Sequence, residues 1–166
     1  FPGPILLHEN ALVYCQYLKI LGRALIGRLW VDDKQGDWLR SPDPGARGRE
    51  FAEQLLAHPA TPYLNGWQSL NEITDPELRR RQAQFDLAFA QVMADGGKKA
   101  VIGNFAVGNG EIKELLHWQV VFAQPNVYLG YHSYWPQGGP EHDGDWLAFR
   151  YRAWAAYCKQ EDIKFP

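Results

Sequence analysis

The sequence predicts an α/β protein in which a parallel β-sheet is covered by helices. Short apolar runs alternate with amphipathic segments along the chain. These runs are almost continuously apolar, as is typical of strands buried on both faces. With 46% hydrophobic and 22% charged residues, the 166-residue chain can build one core, so we expect a single domain over residues 1–166. Two architectures fit this pattern: a doubly wound open sheet and a (β/α)8 barrel.

The first half of the chain alternates predicted strands with helices. They are a weak strand at 4–8, a helix at 9–21 that Gly22 ends, a strand at 24–31, a helix at 47–57 and a strand at 63–71. The polar segment 32–45 is predicted to be a loop. It is longer than most connections in compact domains, which makes it a candidate functional loop.

The second half begins with the helix that has the clearest boundaries. Asp75 is a predicted N-cap, Pro76 occupies the first helical position, Thr74 stands three residues before Glu77, and Gly96 ends the helix. The remaining predicted elements are a strand at 99–104, a helix at 111–122, a strand at 127–134 and a helix at 145–159.

Charge and composition exclude several classes of partner. The net charge of −2 and the pI of about 6.2 give no basic surface for nucleic acid or for an anionic membrane. No apolar stretch approaches the roughly 20 residues of a membrane-spanning helix. Cys15 and Cys158 fall on apolar helix faces and are predicted to be buried free thiols. We therefore predict neither a nucleic-acid nor a membrane partner.

The sequence also predicts no cofactor and no metal. The glycine-rich segment 103–110 lacks the Lys and Ser/Thr of a P-loop, and a dinucleotide fingerprint starting at Gly108 would need glycine where Lys113 stands. The acidic run 141–145 precedes a helix, where Asp145 is an ordinary N-cap. The five histidines include no HExxH pair.

The carboxyl ends of the predicted strands carry hydrogen-bonding groups beside aromatic rings. In parallel α/β folds this edge of the sheet holds the chemistry. The mixture suits a saccharide, because hydroxyl groups need directional polar partners and the C–H face of a sugar stacks on aromatic rings. The alternative is that the aromatic residues only plug the end of the sheet. The candidate binding residues are Arg28, Trp30, Trp67, Asn71, Asn104, His132, Tyr134 and Trp135.

The strongest local signal is the pair Asn71 and Glu72, which follows a strand and precedes the well-capped helix. A carboxylic acid at this position can protonate a glycosidic oxygen, and the neighbouring amide can hold a sugar hydroxyl. The alternative is that the pair only caps the helix.

These strand ends resemble those of the (β/α)8 glycoside hydrolases of clan A, a group that includes cellulases, mannanases and xylosidases. The segment GWQSLNEITDP resembles the fourth strand of that family, which ends in Asn-Glu. The resemblance implies that Glu72 is the general acid/base and that Asn71 binds the sugar 2-hydroxyl. One departure is Ile73, where the family usually has proline.

Three further segments extend the resemblance. ALIGRLWV, AVIGNFAVGNG and LGYHSYW resemble the third, fifth and sixth strands, and DWLAFRYRAWAAY resembles the helix before the seventh. This similarity implies that His132 and Tyr134 face the catalytic centre and that Arg28 lies near its floor.

The resemblance implies an incomplete barrel, with the first, seventh and eighth strands missing from this chain. The family nucleophile lies on the seventh strand, so we expect retaining hydrolysis of an oligo- or polysaccharide by the intact parent. The chain alone is expected to be inactive and poorly stable.

Two alternatives remain: a non-catalytic carbohydrate- or partner-binding barrel, and a self-contained open-sheet enzyme. Localisation also stays open, because buried free thiols favour the cytoplasm whereas polysaccharide hydrolases are often secreted.

Overall fold

The protein folds around a five-stranded parallel sheet whose strands follow one another in chain order, β1-β2-β3-β4-β5. The fold is that of a computed structural model, which describes residues 4–106, 111–132 and 150–165. The strands are β1 (Ile5–His8), β2 (Leu25–Arg28), β3 (Gly66–Gln68), β4 (Lys99–Phe105) and β5 (Val127–Tyr131). The predicted α/β class with a parallel sheet is confirmed. The weak strand at 4–8 is a full member of the sheet, paired along its length with β2.

Helices and 3-10 turns connect the strands. The α-helices are α1 (Cys15–Lys19), α2 (Gln35–Arg40), α3 (Pro44–Leu56), α4 (Pro76–Asp95), α5 (Gln119–Phe122) and α6 (Arg150–Gln160). The 3-10 segments are Glu9–Tyr14, Thr61–Tyr63 and Ile112–Trp118. The predicted helices at 9–21 and 111–122 therefore each begin as a 3-10 segment.

The prediction of a loop at 32–45 is wrong, because this segment contains α2 and the start of α3. The local sequence is polar, and α2 is short. Its place is fixed by tertiary packing: Leu39 is fully buried, and the Trp38 ring lies 5.2 Å from Phe51 and 6.1 Å from Phe85.

The predicted start of α4 is confirmed. The Asp75 side chain accepts a hydrogen bond of 2.9 Å from the Glu77 amide, and Pro76 occupies the first turn. The helix ends before Gly96, and Gly97 adopts the left-handed conformation with φ of 67°.

The hydrophobic core lies between the sheet and the helices. Phe51 of α3 packs on Phe85 and Phe89 of α4, with ring centroids 6.3 and 5.9 Å apart. Trp154 of α6 makes edge contacts with the rings of Phe105 and Tyr131. Cys15 and Cys158 are buried and unpaired, as predicted. Of the helices described, none is long and apolar enough to cross a membrane.

The register of the strands separates the two faces of the sheet. Trp67 is in register with Gly27 and Ala100, and its ring packs against the connection before β3. Gln68 is in register with Val101 on the opposite face. The Gln68 and Val101 side chains line a cavity of about 160 Å³ that His132 also borders. The carboxyl ends of β3, β4 and β5 therefore meet around one cavity.

Candidate functional site

Glu72 and His132 are brought together at the carboxyl edge of the sheet. Glu72 follows β3 and His132 follows β5, and the imidazole Nδ1 lies 2.6 Å from the carboxyl Oε1. The Glu72 side chain is 30% exposed and the His132 side chain 18% exposed, so both are accessible to a small ligand. A carboxyl group and an imidazole in hydrogen-bond contact can exchange a proton.

The backbone around this pair is unusual. Glu72 and Asn104 have positive φ angles of 46° and 43°, a conformation that is uncommon for residues other than glycine. The Glu72 amide donates a hydrogen bond of 3.1 Å to the Asn104 carbonyl, and the His132 amide donates one of 2.9 Å to the Phe105 carbonyl. Such conformations persist only where surrounding contacts fix them, and they cluster at active sites.

Asn71 is held by a reciprocal pair of hydrogen bonds with Gln35 of α2. Gln35 Nε2 donates to the Asn71 carbonyl at 2.8 Å, and the Asn71 amide donates to Gln35 Oε1 at 3.0 Å. The Asn71 side chain accepts from Gln68 Nε2 at 3.2 Å and donates to Asp32 Oδ2 at 3.5 Å. Asn71 is thus a buried member of a polar network.

Arg28 and Trp30 border this network. Buried Arg28 lies 3.7 Å from Asp32 Oδ2, and its guanidinium stands 6.0 Å from the centre of the Trp30 ring. Trp30 is 64% exposed. It is therefore an open aromatic surface beside the polar groups, as a sugar-stacking residue requires.

Gln35 and Asp32 were not predicted from the sequence to lie at the site. Their only signal was their place in the long polar segment 32–45, which was predicted to be functional as a whole. A side chain that hydrogen-bonds a distant backbone leaves no periodic pattern in the sequence.

The structure corrects the prediction for Trp67. The ring is fully buried, its N–H donates to Thr61 Oγ1 at 3.1 Å, and His58 packs against its edge. Trp67 points to the helix-covered face of the sheet, where a sugar could not reach it. It is a core residue.

Asn104 borders the cavity of about 160 Å³. It is buried, and its Nδ2 donates to the carbonyls of Leu70 and Val101 at 2.8 and 3.2 Å. Its side-chain amide thereby joins the ends of β3 and β4, and its role as a binding residue stays a prediction. Tyr134, Trp135 and the acidic run 141–145 lie outside the described residues.

A second, larger cavity lies away from this edge. It measures about 730 Å³ and lies at the amino-terminal end of the sheet, bordered by Lys19, Lys98 and Lys99. The smaller cavity is bordered by Gln68, Asn104 and His132. We place the candidate site there, because His132 also contacts Glu72. Within 4–106, 111–132 and 150–165, no cluster of His, Cys, Asp or Glu is arranged to hold a metal ion.

No family model, curated protein or solved structure matches the chain.

Proposed function

We propose that the chain is part of a glycoside hydrolase-like (β/α)8 barrel. In this proposal Glu72 is the general acid/base of a retaining mechanism. The observation that carries the proposal is the Glu72 carboxyl group at the end of β3, held at 2.6 Å by His132 from the end of β5. Catalytic groups of such barrels come from the carboxyl ends of several strands.

The order of the strands supports a barrel over a doubly wound sheet. A doubly wound sheet reverses its strand order at the point where its ligand binds. Here the order runs from β1 to β5 without reversal, as in a consecutive part of a barrel. By resemblance, β1 to β5 would be the second to sixth strands.

In the proposed reaction Glu72 first transfers its proton to the glycosidic oxygen while that C–O bond breaks. A second carboxylate forms a bond to the anomeric carbon in the same step. Glu72, now a carboxylate, then takes a proton from a water molecule whose oxygen displaces the second carboxylate. That second group would come from a further strand of the barrel, about 5–5.5 Å from Glu72.

The neighbouring residues supply saccharide binding in this proposal. Trp30 would stack on the C–H face of a sugar ring, and Asn71 and Arg28 would hydrogen-bond its hydroxyl groups. His132 would fix the orientation of the Glu72 carboxyl group, because its Nδ1 contacts one of the two carboxyl oxygens. The partner is therefore an oligo- or polysaccharide.

The test is Glu72→Gln in the natural protein expressed from its complete reading frame. Aryl glycosides with a poor leaving group, such as phenyl, should be hydrolysed about 10²–10⁴-fold more slowly, because the general acid is lost. Glu77→Gln is the matched control, since Glu77 is an exposed carboxylate at the start of α4. It should leave the rate unchanged.

Unchanged hydrolysis by Glu72→Gln would overturn the assignment of Glu72. Saccharide binding by the natural protein without any hydrolysis of a panel of aryl glycosides would instead support a non-catalytic carbohydrate-binding barrel.

A further inference from the structure

Two buried polar side chains of α4 hydrogen-bond the amide and the carbonyl of a single residue of β4, Gly103. Gln82 Nε2 donates to the Gly103 carbonyl at 3.0 Å, and the Gly103 amide donates to Asp86 Oδ2 at 3.0 Å. Gln82 and Asp86 are one helical turn apart and fully buried. Both hydrogen-bonding groups of Gly103 thus have a partner in α4.

Gly103 lies in a β-bulge. The register between β4 and β5 shifts between Ile102 and Phe105. Gly103 has φ of 75°, and a Cβ atom there would lie only 2.9 Å from Leu129 and 3.0 Å from Phe105. A bulge leaves its extra residue without a ladder partner, and bulges often re-aim a side chain next to an active site.

The bulge leads directly to Glu72. Asn104, the residue after Gly103, accepts the Glu72 amide through its carbonyl at 3.1 Å. Its Nδ2 donates to the Leu70 carbonyl at 2.8 Å. The conformation of the bulge therefore sets where the backbone of Leu70 to Glu72 lies.

Asp86 also reaches β3 independently. Ser69 Oγ donates to Asp86 Oδ1 at 2.7 Å, and Trp118 Nε1 donates to Oδ2 at 3.0 Å. The one carboxyl group thus joins the end of β3, the bulge of β4 and the 3-10 segment Ile112–Trp118. A buried carboxyl group that accepts hydrogen bonds from three separate elements fixes their positions relative to one another.

We infer that Gln82 and Asp86 are positioning residues that set the location of Glu72 through the β4 bulge. The claim that this positioning assists catalysis rests on the proposed function. The claim that Gln82 and Asp86 fix the backbone of Glu72 does not depend on it. The two can therefore be tested separately.

The structural test is amide hydrogen exchange in the natural protein carrying Gln82→Met, which removes the donor to Gly103 and keeps the side-chain size. Protection of the Glu72 amide should fall at least about tenfold, because its acceptor Asn104 is released. Asp86→Asn should keep wild-type protection, since an amide can face Gly103 and Trp118 with its oxygen and Ser69 with its nitrogen.

Phe89→Leu is the matched control, because Phe89 is a fully buried residue of the same helix whose ring packs on Phe51 and Phe85. It destabilises α4 packing generally. If Gln82→Met lowers Glu72 protection no more than Phe89→Leu does, the inference is overturned.

The kinetic test uses the natural protein and two aryl glycosides. A misplaced general acid slows phenyl glycosides more than dinitrophenyl glycosides, which need little protonation. Gln82→Met should therefore lower kcat for the phenyl substrate about tenfold or more with KM nearly unchanged, and spare the dinitrophenyl substrate. Equal losses on both substrates would contradict the positioning role. Failure of Glu72→Gln to slow hydrolysis would overturn the proposed function while leaving the exchange result valid.

Discussion

The Nδ1 atom of His132 lies 2.6 Å from Oε1 of Glu72, although the two residues follow different strands of the sheet. Strand β4 runs between these strands, and its bulge gives the Glu72 amide an acceptor in Asn104. The pair is thus fixed by three neighbouring strand ends. Four predictions test this arrangement and the residues around it.

Replacing His132 by Gln should slow the proposed hydrolysis of aryl glycosides about 10²-fold. A small misplacement of an acid/base group has an effect of that size on the reaction rate. Rates on phenyl glycosides with the natural protein measure it. His117→Gln is the control, since His117 is exposed on the 3-10 segment Ile112–Trp118. Equal rates for wild type and His132→Gln would show that the contact with Glu72 has no part in the reaction.

Replacing Gln35 by Ala should lower the free energy of unfolding by about 1–3 kcal/mol, because both reciprocal hydrogen bonds with the Asn71 backbone are lost in a buried place. Urea unfolding of this chain measures the change. Gln84→Ala, on the exposed face of α4, should change it by less than about 0.5 kcal/mol. A Gln35 variant as stable as wild type would argue against a fixed Asn71 backbone.

Trp30 and Trp67 should respond oppositely to substitution. Trp30→Ala should weaken saccharide binding and change unfolding by less than about 0.5 kcal/mol, because the ring is mostly in solvent. Trp67→Ala should cost about 3–5 kcal/mol of stability, since it leaves a large cavity in the core. Calorimetric titration with oligosaccharides and urea unfolding separate the two effects. Undiminished binding by Trp30→Ala would remove Trp30 from the proposed site.

Asp86 should make stability depend on pH. Burial raises the pKa of Asp86 to about 6 from 3.8, against the opposing effect of hydrogen bonds from Trp118, Ser69 and Gly103. Because the folded state holds this proton more tightly than the unfolded state, the contribution is greatest below about pH 4 and falls as pH rises through 6. The loss amounts to about 3 kcal/mol at most.

The measurement is the difference in unfolding free energy between wild type and Asp86→Asn at several pH values from about 4 to 8. Asn does not titrate, so the difference should change in favour of Asp86→Asn as the pH rises and become constant above about 7. A difference that is independent of pH over this range would contradict the raised pKa of Asp86.

Local features of the sequence determined the fold class and the frame of the candidate site. The apolar runs were predicted to become parallel strands, because parallel neighbours need long crossover connections and the segments between these runs can form helices. Asp75, Pro76 and Gly96 fixed the limits of α4, since capping depends on neighbouring residues alone. The same local order placed Glu72 in the connection between β3 and α4.

The tertiary structure decided which residues meet there. Trp30 and Trp67 are both aromatic residues near strand ends, yet one is open to solvent and the other buried, because the strand twist and register choose the face. The contacts of Glu72 with His132, of Asn71 with Gln35 and of Gly103 with Asp86 join distant parts of the chain. No periodicity or spacing encodes such pairs, since they exist only after the sheet has brought its strand ends to one edge.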